Sequence, residues 1–283
     1  MKLKLLSVIL PLAIIAILPG CKKDDTTSTP DTEVETTFEL SRNEALADNF
    51  TEDAYDLFNE AVADHDLMGA RVAGVAETMN NLSCATVTVT PLQGFPKTIV
   101  IDFGTGCTSP NGIVRSGKIN VVLSDSLRIP GTTSVMTFDN YFVNGFKKEG
   151  TVTWTNTSNA TRRSWSRVVT NGKITVPGGD FWLHSGTKNV VHIAGAHTPR
   201  VLNDDEFSIT GGSTVTNSAG LTRTSTIQNP LHKRVICANI DRGTVRTDGP
   251  NHYAILDFGN GACDREATIS INGNPPRIIL LRP

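Results

Sequence analysis

The sequence predicts a mainly β protein: an antiparallel β-sandwich, open barrel or curved sheet, preceded by an N-terminal amphipathic helix. Three observations predict it. Aromatic residues are only 6% of the 283 residues while Gly, Thr, Ser and Asn abound, a composition suited to short strands and tight turns. From residue 83 onward, alternating polar and apolar runs are punctuated by Asn-Gly pairs such as Asn144-Gly145 and Asn171-Gly172, the favoured centres of hairpin turns. Only before residue 83 do apolar residues recur at three- and four-residue steps.

At the amino terminus, Lys2 and Lys4 lead into an apolar stretch, residues 5–18, broken by Ser7 and Pro11 and closed by Leu18-Pro19-Gly20-Cys21. A basic start, a short apolar middle and small residues before a processing site make a signal sequence, too short and wrongly flanked to span a membrane. These residues resemble the lipobox of bacterial lipoproteins. The resemblance implies that Cys21 receives a diacylglyceryl group and becomes the first residue after cleavage. It also implies that the membrane is a partner through that lipid, and that the protein is anchored to the outer membrane, at the cell surface or on the periplasmic face. Lys22-Lys23-Asp24-Asp25 is similar to the short tag of surface-exposed lipoproteins, and as bare residues it reads as a solvated tether. Residues 1–20 are therefore expected to be a signal peptide and residues 21–37 a flexible tether, since residues 26–37 carry a single apolar side chain, Val34. Loss of Lys2 and Lys4 takes the formal charge from −2 to −4, which does not suit a nucleic-acid partner.

Residues 38–82 are expected to be helical. Leu46, Phe50, Ala54, Leu57, Phe58, Ala61 and Val62 line one face with acids between them, and Thr51-Glu52-Asp53 offers a cap and negative charge for a first turn. A second stretch, residues 67–79, rich in Ala, Val and Gly, continues the helix after a break near Gly69. A helix covering an open face or edge of a sheet is expected in preference to one that binds a partner.

Residues 83–283 form the β-rich region, long enough with the helix to bury a sizeable core. Two related modules lie within it, at about 84–128 and 237–283. Cys84 and Cys237 each precede a β-rich run that ends in Asp-Phe-Gly-x-Gly, at 102–106 and 257–261. Cys107 and Cys263 follow, and ten residues later come Gly117 and Gly273. The four cysteines left after Cys21 read as two disulfides of an oxidising compartment, and the repeat pairs them within modules, Cys84 with Cys107 and Cys237 with Cys263. The Asp-Phe-Gly-x-Gly segments read as turns; the alternative, an anion nest or a calcium loop using Asp257 and Asp264, lacks its second acid in the first copy, where Thr108 stands. Between the modules, residues 129–236 read as an antiparallel succession of strands.

No recognisable catalytic motif occurs: neither a His-Glu-x-x-His helix nor a Gly-x-Ser-x-Gly elbow. His184, His192 and His197, with Asp204 and Asp205 beyond, have donor types suited to zinc, but a strand separates them unevenly; His184 and His192 remain the metal candidates, set against plain strand histidines. Arg163, Trp165 and Arg167 form, with Arg162, a basic and aromatic cluster suited to an anionic sugar or a base, or else to a cross-strand pair. Trp154, Trp165 and Trp182 line a carbohydrate platform or fill the core. The whole chain resembles the β-rich outer-membrane lipoproteins of Gram-negative bacteria, a resemblance that transfers no catalytic residue. The expectation is a lipid-anchored cell-envelope binding or structural protein, without cofactor, whose partner is a glycan or an envelope protein. The alternative is an envelope hydrolase acting on glycans or esters.

Overall fold

The computed structural model describes residues 30–68 and 77–281, so Cys21, the signal segment and most of the second helical stretch lie outside the described residues. A single helix, α1 (Pro30–Asp64), comes first. Strands β1 (Thr86–Thr90), β2 (Lys97–Asp102), β3 (Cys107–Thr108), β4 (Val114–Leu123) and β5 (Thr133–Val143) follow. The middle of the chain forms β6 (Phe146–Asn156), β7 (Ser164–Thr175), β8 (Phe181–Ala194), β9 (Glu206–Asn217) and β10 (Thr222–Arg234). The last strands are β11 (Arg242–Asp248), β12 (Tyr253–Asn260), β13 (Glu266–Ile271) and β14 (Arg277–Leu280).

All fourteen strands belong to one antiparallel sheet, each pairing with its neighbours along the chain except that β2 pairs with β4 and the short β3 pairs with β4 alone. Strands β1 and β14 are its two edges, so the sheet does not close. Of the expected architectures the curved open sheet is the one formed. A sandwich would need a second sheet, and here α1 occupies that place.

Curvature comes from bulges that recur along the meander. Register shifts fall between Ser116 and Lys118 in β4, Glu149 and Thr151 in β6, and Val169 and Gly172 in β7. An extra residue on one strand bends it and increases its twist. Gly150 shows why the sequence permits this: its φ is +105°, and a Cβ there would lie 2.5 Å from the Asn171 carbonyl oxygen.

Helix α1 is enclosed on nearly all sides. Its apolar stripe meets the inner face of the sheet, with Phe50 against Phe146 and the Tyr55 ring stacked on Trp154 at 3.7 Å. Trp154, Trp165 and Trp182 are all buried, which makes them core residues and not an exposed platform. The acidic stripe is buried as well. Asp53 pairs with Arg115 at 2.6 Å, Asp56 with Lys233 at 2.8 Å, Glu52 with Arg167, and both Glu44 and Asp48 with Lys188. A buried pair gains little net stability over apolar packing, whereas the loss of one partner is costly; a ladder of such pairs therefore fixes the helix in one register against β4, β7, β8 and β10.

The helix begins earlier than composition suggests, taking in residues 30–37 that were expected to be tether. The reason is local satisfaction of polar groups plus partners across the sheet. Thr36 donates its hydroxyl to the Thr32 carbonyl and Ser41 to the Thr37 carbonyl, each one turn back. Arg223 binds Glu33 and donates to the Thr37 hydroxyl, while Arg277 pairs with Glu35 at 2.9 Å and covers the Phe38 ring. At the other end α1 stops at Asp64, and the described residues 67, 68 and 77–79 are not helical, which corrects the expected helix through residue 82.

Both disulfides form within modules: Cys84 with Cys107 at a Cα separation of 5.7 Å, and Cys237 with Cys263 at 5.1 Å. The two Asp-Phe-Gly turns are alike, since Asp102 accepts from the Gly104 amide at 2.8 Å and Asp257 from the Gly259 amide at 2.9 Å, with Phe103 and Phe258 buried beneath. The ten-residue step to glycine is not a structural equivalence. Gly117 lies inside β4 at a bulge, whereas Gly273 lies in the turn between β13 and β14.

Candidate functional site

The ends of β7, β8 and β9 that lie beyond the middle of α1 leave a cleft that three loops surround. Strand pairing sets His192 opposite Phe207, and the two rings stack at 4.8 Å. Trp165, on the neighbouring strand, approaches both rings, its centroid 6.2 Å from His192 and 6.3 Å from Phe207. The His192 amide donates to the Arg163 carbonyl at 3.0 Å, which places Arg163 where β7 begins. From the loop after β4, Arg128 reaches across and donates to the Ala196 carbonyl. Leu127 is held by Asn156, whose side-chain amide donates to its carbonyl at 2.9 Å, so the arginine springs from an anchored loop.

Two adjoining cavities result, an outer one of about 540 Å³ and an inner recess of about 40 Å³. Arg128, Arg163 and His192 line both, so they mark the junction. Loop residues of a polar kind, Asn159, Thr161, Arg162 and His197 among them, surround the outer cavity. Trp165, Phe207, Leu127, Met68 and Leu202 give the recess an apolar wall.

The electrostatics at the junction are cationic. Burial and the nearby Arg163 charge hold the Arg128 guanidinium down to about 10, and burial lowers Arg163 as well. Among the described residues no carboxylate lies within ion-pair distance, 4.0 Å, of either guanidinium. Asp205 also lines the recess, its Oδ1 2.8 Å from His192 Nε2; burial raises its pKa while the imidazole and the Arg128 charge oppose that rise, and its charge in turn favours the protonated Arg128. Trp165 and His192 both contribute to the recess wall, and the Trp165 indole N–H and His192 Nδ1 are buried without a hydrogen-bond partner among the described residues.

The residues singled out in sequence divide accordingly. Arg163, Trp165 and His192 converge on the cleft. Arg167, expected to join Arg163 and Trp165 in contacting a ligand, lies deeper on the same face of β7 beneath α1, bound to Glu52 and 3.5 Å from Asp48, with Trp154 at its back. His184 does not approach His192. It is buried over Lys148, Lys188 and Arg167, and burial together with those charges holds its imidazole well below the usual histidine range. Among the described residues no group of three metal-ligating side chains comes together. Arg128, Leu127 and Phe207 were not singled out, because only the fold brings the loop after β4 to the ends of β8 and β9.

A second histidine cluster is filled by its own members. His232 contacts Asp241 at 2.7 Å and Glu206 at 3.1 Å, and Arg234 closes on the other oxygen of Asp241 at 2.7 Å, beside the Cys237–Cys263 bridge. It holds the β10–β11 corner.

No protein-family model, curated protein or solved structure matches the chain.

Proposed function

We propose that the protein is a lipid-anchored binding module of the cell envelope whose cleft takes an anionic ligand. The observation that carries this reading is the pair Arg128 and Arg163, two guanidinium groups at the mouth of a recess with no carboxylate within ion-pair distance among the described residues, and with Asp205 as the one nearby acid that acts on Arg128. Bringing like charges together and partly out of water is unfavourable without an anion, and a planar fork of donors suits carboxylate or phosphate. The cavity falls in the range of small-molecule sites, about 300–1,000 Å³. The lipobox-like ending at Cys21 supports the envelope address, and two or more acyl chains anchor far more firmly than one.

The hydrolase reading has one observation in its favour, the His192–Asp205 pair, which resembles a base and its orienting carboxylate. Against it, His192 Nδ1 meets no hydroxyl among the described residues, so no nucleophile is in place. Calorimetric titration of the purified mature protein with glucuronate and, separately, glucose tests both readings. The binding reading expects glucuronate to bind with an affinity that falls as salt rises, glucose to bind at least about tenfold more weakly, and no product to form. Equal affinity for the neutral sugar contradicts it; turnover of ester or glycoside substrates abolished by His192→Ala moves the protein to the hydrolase class.

A further inference from the structure

The outer cavity carries more positive charge than one carboxylate can meet. Beside Arg128 and Arg163 it is lined by a third arginine, Arg162, and none of its lining residues is an Asp or a Glu. Neither Arg162 nor Arg163 has an ion-pair or hydrogen-bond partner for its guanidinium among the described residues. Two acids of the neighbouring loop are engaged elsewhere. Asp205 lines the recess and contacts His192, and Asp204 accepts from the Thr198 hydroxyl at 2.7 Å.

The loop that bears the third arginine is built before any ligand arrives. Asn159 Oδ1 accepts from the Thr161 amide at 3.0 Å, the Thr161 hydroxyl at 3.1 Å and the Arg162 amide at 2.9 Å. One residue on, the Arg163 carbonyl takes the His192 amide, so the backbone of both arginines is fixed against the sheet. Arg128 reaches the same wall from the loop after β4. Three guanidinium groups facing one carboxylate leave two positive charges unmet, and a dianion leaves one. A phosphomonoester supplies close to two negative charges at neutral pH and three strong acceptor oxygens, and guanidinium forks match it in geometry. Asn159, Thr161 and His197 add polar atoms to the wall while Pro130 and Ile193 add apolar surface, a mixture that suits a hydroxylated ring. The volume of about 540 Å³ leaves room for such a ring beside the phosphate.

We propose that the cleft recognises a phosphomonoester on a hydroxylated carrier, a sugar phosphate, with the phosphate held jointly by Arg128, Arg162 and Arg163. This deepens the anion-binding reading above and rests on it.

The test is calorimetric titration of the mature protein at about pH 7.5, where a phosphomonoester is mostly the dianion. Glucose 6-phosphate carries the full group; glucose 6-sulfate keeps its tetrahedral shape with a single charge; glucuronate carries one carboxylate. Inorganic phosphate lacks the carrier, and dihexanoyl phosphatidic acid bears the same phosphomonoester on a lipid. Glucose 6-phosphate is expected to bind about tenfold or more tighter than the sulfate and glucuronate, as one further charge-assisted contact implies, and tighter than the two probes without a sugar. Arg162→Gln should weaken glucose 6-phosphate about tenfold and glucuronate by about threefold at most, since the carboxylate is assigned to the other two arginines. Glucose 6-phosphate no tighter than its sulfate, or an Arg162→Gln variant that keeps the full preference for it, overturns the inference, and glucuronate binding then leaves the anion reading standing. Tighter binding of inorganic phosphate or of the phosphatidic acid overturns the choice of a sugar carrier. Failure of the phosphate, the sulfate and glucuronate alike overturns the anion reading itself.

Discussion

Lys148 is a buried cation with no carboxylate within ion-pair distance among the described residues, although Asp48, Asp53 and Glu52 act on it from further off, and replacing it with methionine should stabilise the protein. Its side chain is 1% exposed; its ammonium donates to the Thr51 hydroxyl at 3.0 Å and lies 5.1 Å from the Phe138 ring centroid. Burial, reinforced by the Arg167 charge, brings its pKa down to about 7, against 10.5 for a free lysine. With the folded value below the unfolded one, the unfolded chain binds more protons between pH 7 and 10.5, so stability should rise with pH through that window. At 1.36 kcal/mol per pKa unit, the cost at pH 7 is roughly 4 kcal/mol at most. Lys148→Met keeps the apolar stem and removes the titrating group, at the loss of one hydrogen bond worth about 1 kcal/mol. The variant should be more stable by roughly 2–3 kcal/mol at pH 7, about 4–12 °C in Tm for a domain of this size. That gain should shrink steadily toward pH 10. Urea denaturation of both proteins at pH 7, 8, 9 and 10 measures it. A variant less stable than the parent at pH 7, or a difference independent of pH, would refute the account of Lys148 as an unpaired charge.

Gly150→Ala should destabilise by about 2 kcal/mol or more, read by thermal melting, because the new Cβ meets the Asn171 carbonyl at the bulge and the positive φ is strained besides. The double substitution Cys84→Ser and Cys107→Ser should cost on the order of 3 kcal/mol by the chain-entropy estimate, for a loop of 23 residues. Non-reducing peptide mapping of the parent should recover Cys84 joined to Cys107 and Cys237 joined to Cys263. Cys21→Ser should shift the protein from the membrane to the soluble envelope fraction or leave its signal uncleaved; unchanged partition and unchanged mass would contradict lipid attachment.

Much of the fold was legible because it rests on local pattern. The step from Leu46 to Val62 announces a helix, the Asn-Gly pairs announce hairpins, and the repeated Asp-Phe-Gly turn decided the cysteine pairing. Residues 30–37 were illegible for a physical reason: their helix is held by Arg223 and Arg277, more than 180 residues away in the chain, and not by an apolar stripe of their own. The same holds for the acids of α1, which alternation with apolar residues marks as a solvated face and which the curved sheet instead covers with lysines and arginines. Trp165 and Arg167 share one face of β7, as period two requires, and Arg163 immediately precedes the strand. Their different fates follow from what lies over them, the open cleft at Arg163 and α1 at Arg167, and sequence alone does not contain that information.

The central claim, that Arg128 and Arg163 together hold an anion, is tested most directly by titrating glucuronate into the parent protein, Arg128→Gln, Arg163→Gln and the double variant at low and moderate salt. The account predicts that each single variant binds about tenfold or more weakly, that the double variant shows no saturable binding, and that all four proteins melt cooperatively. Full glucuronate affinity in the folded double variant would contradict it.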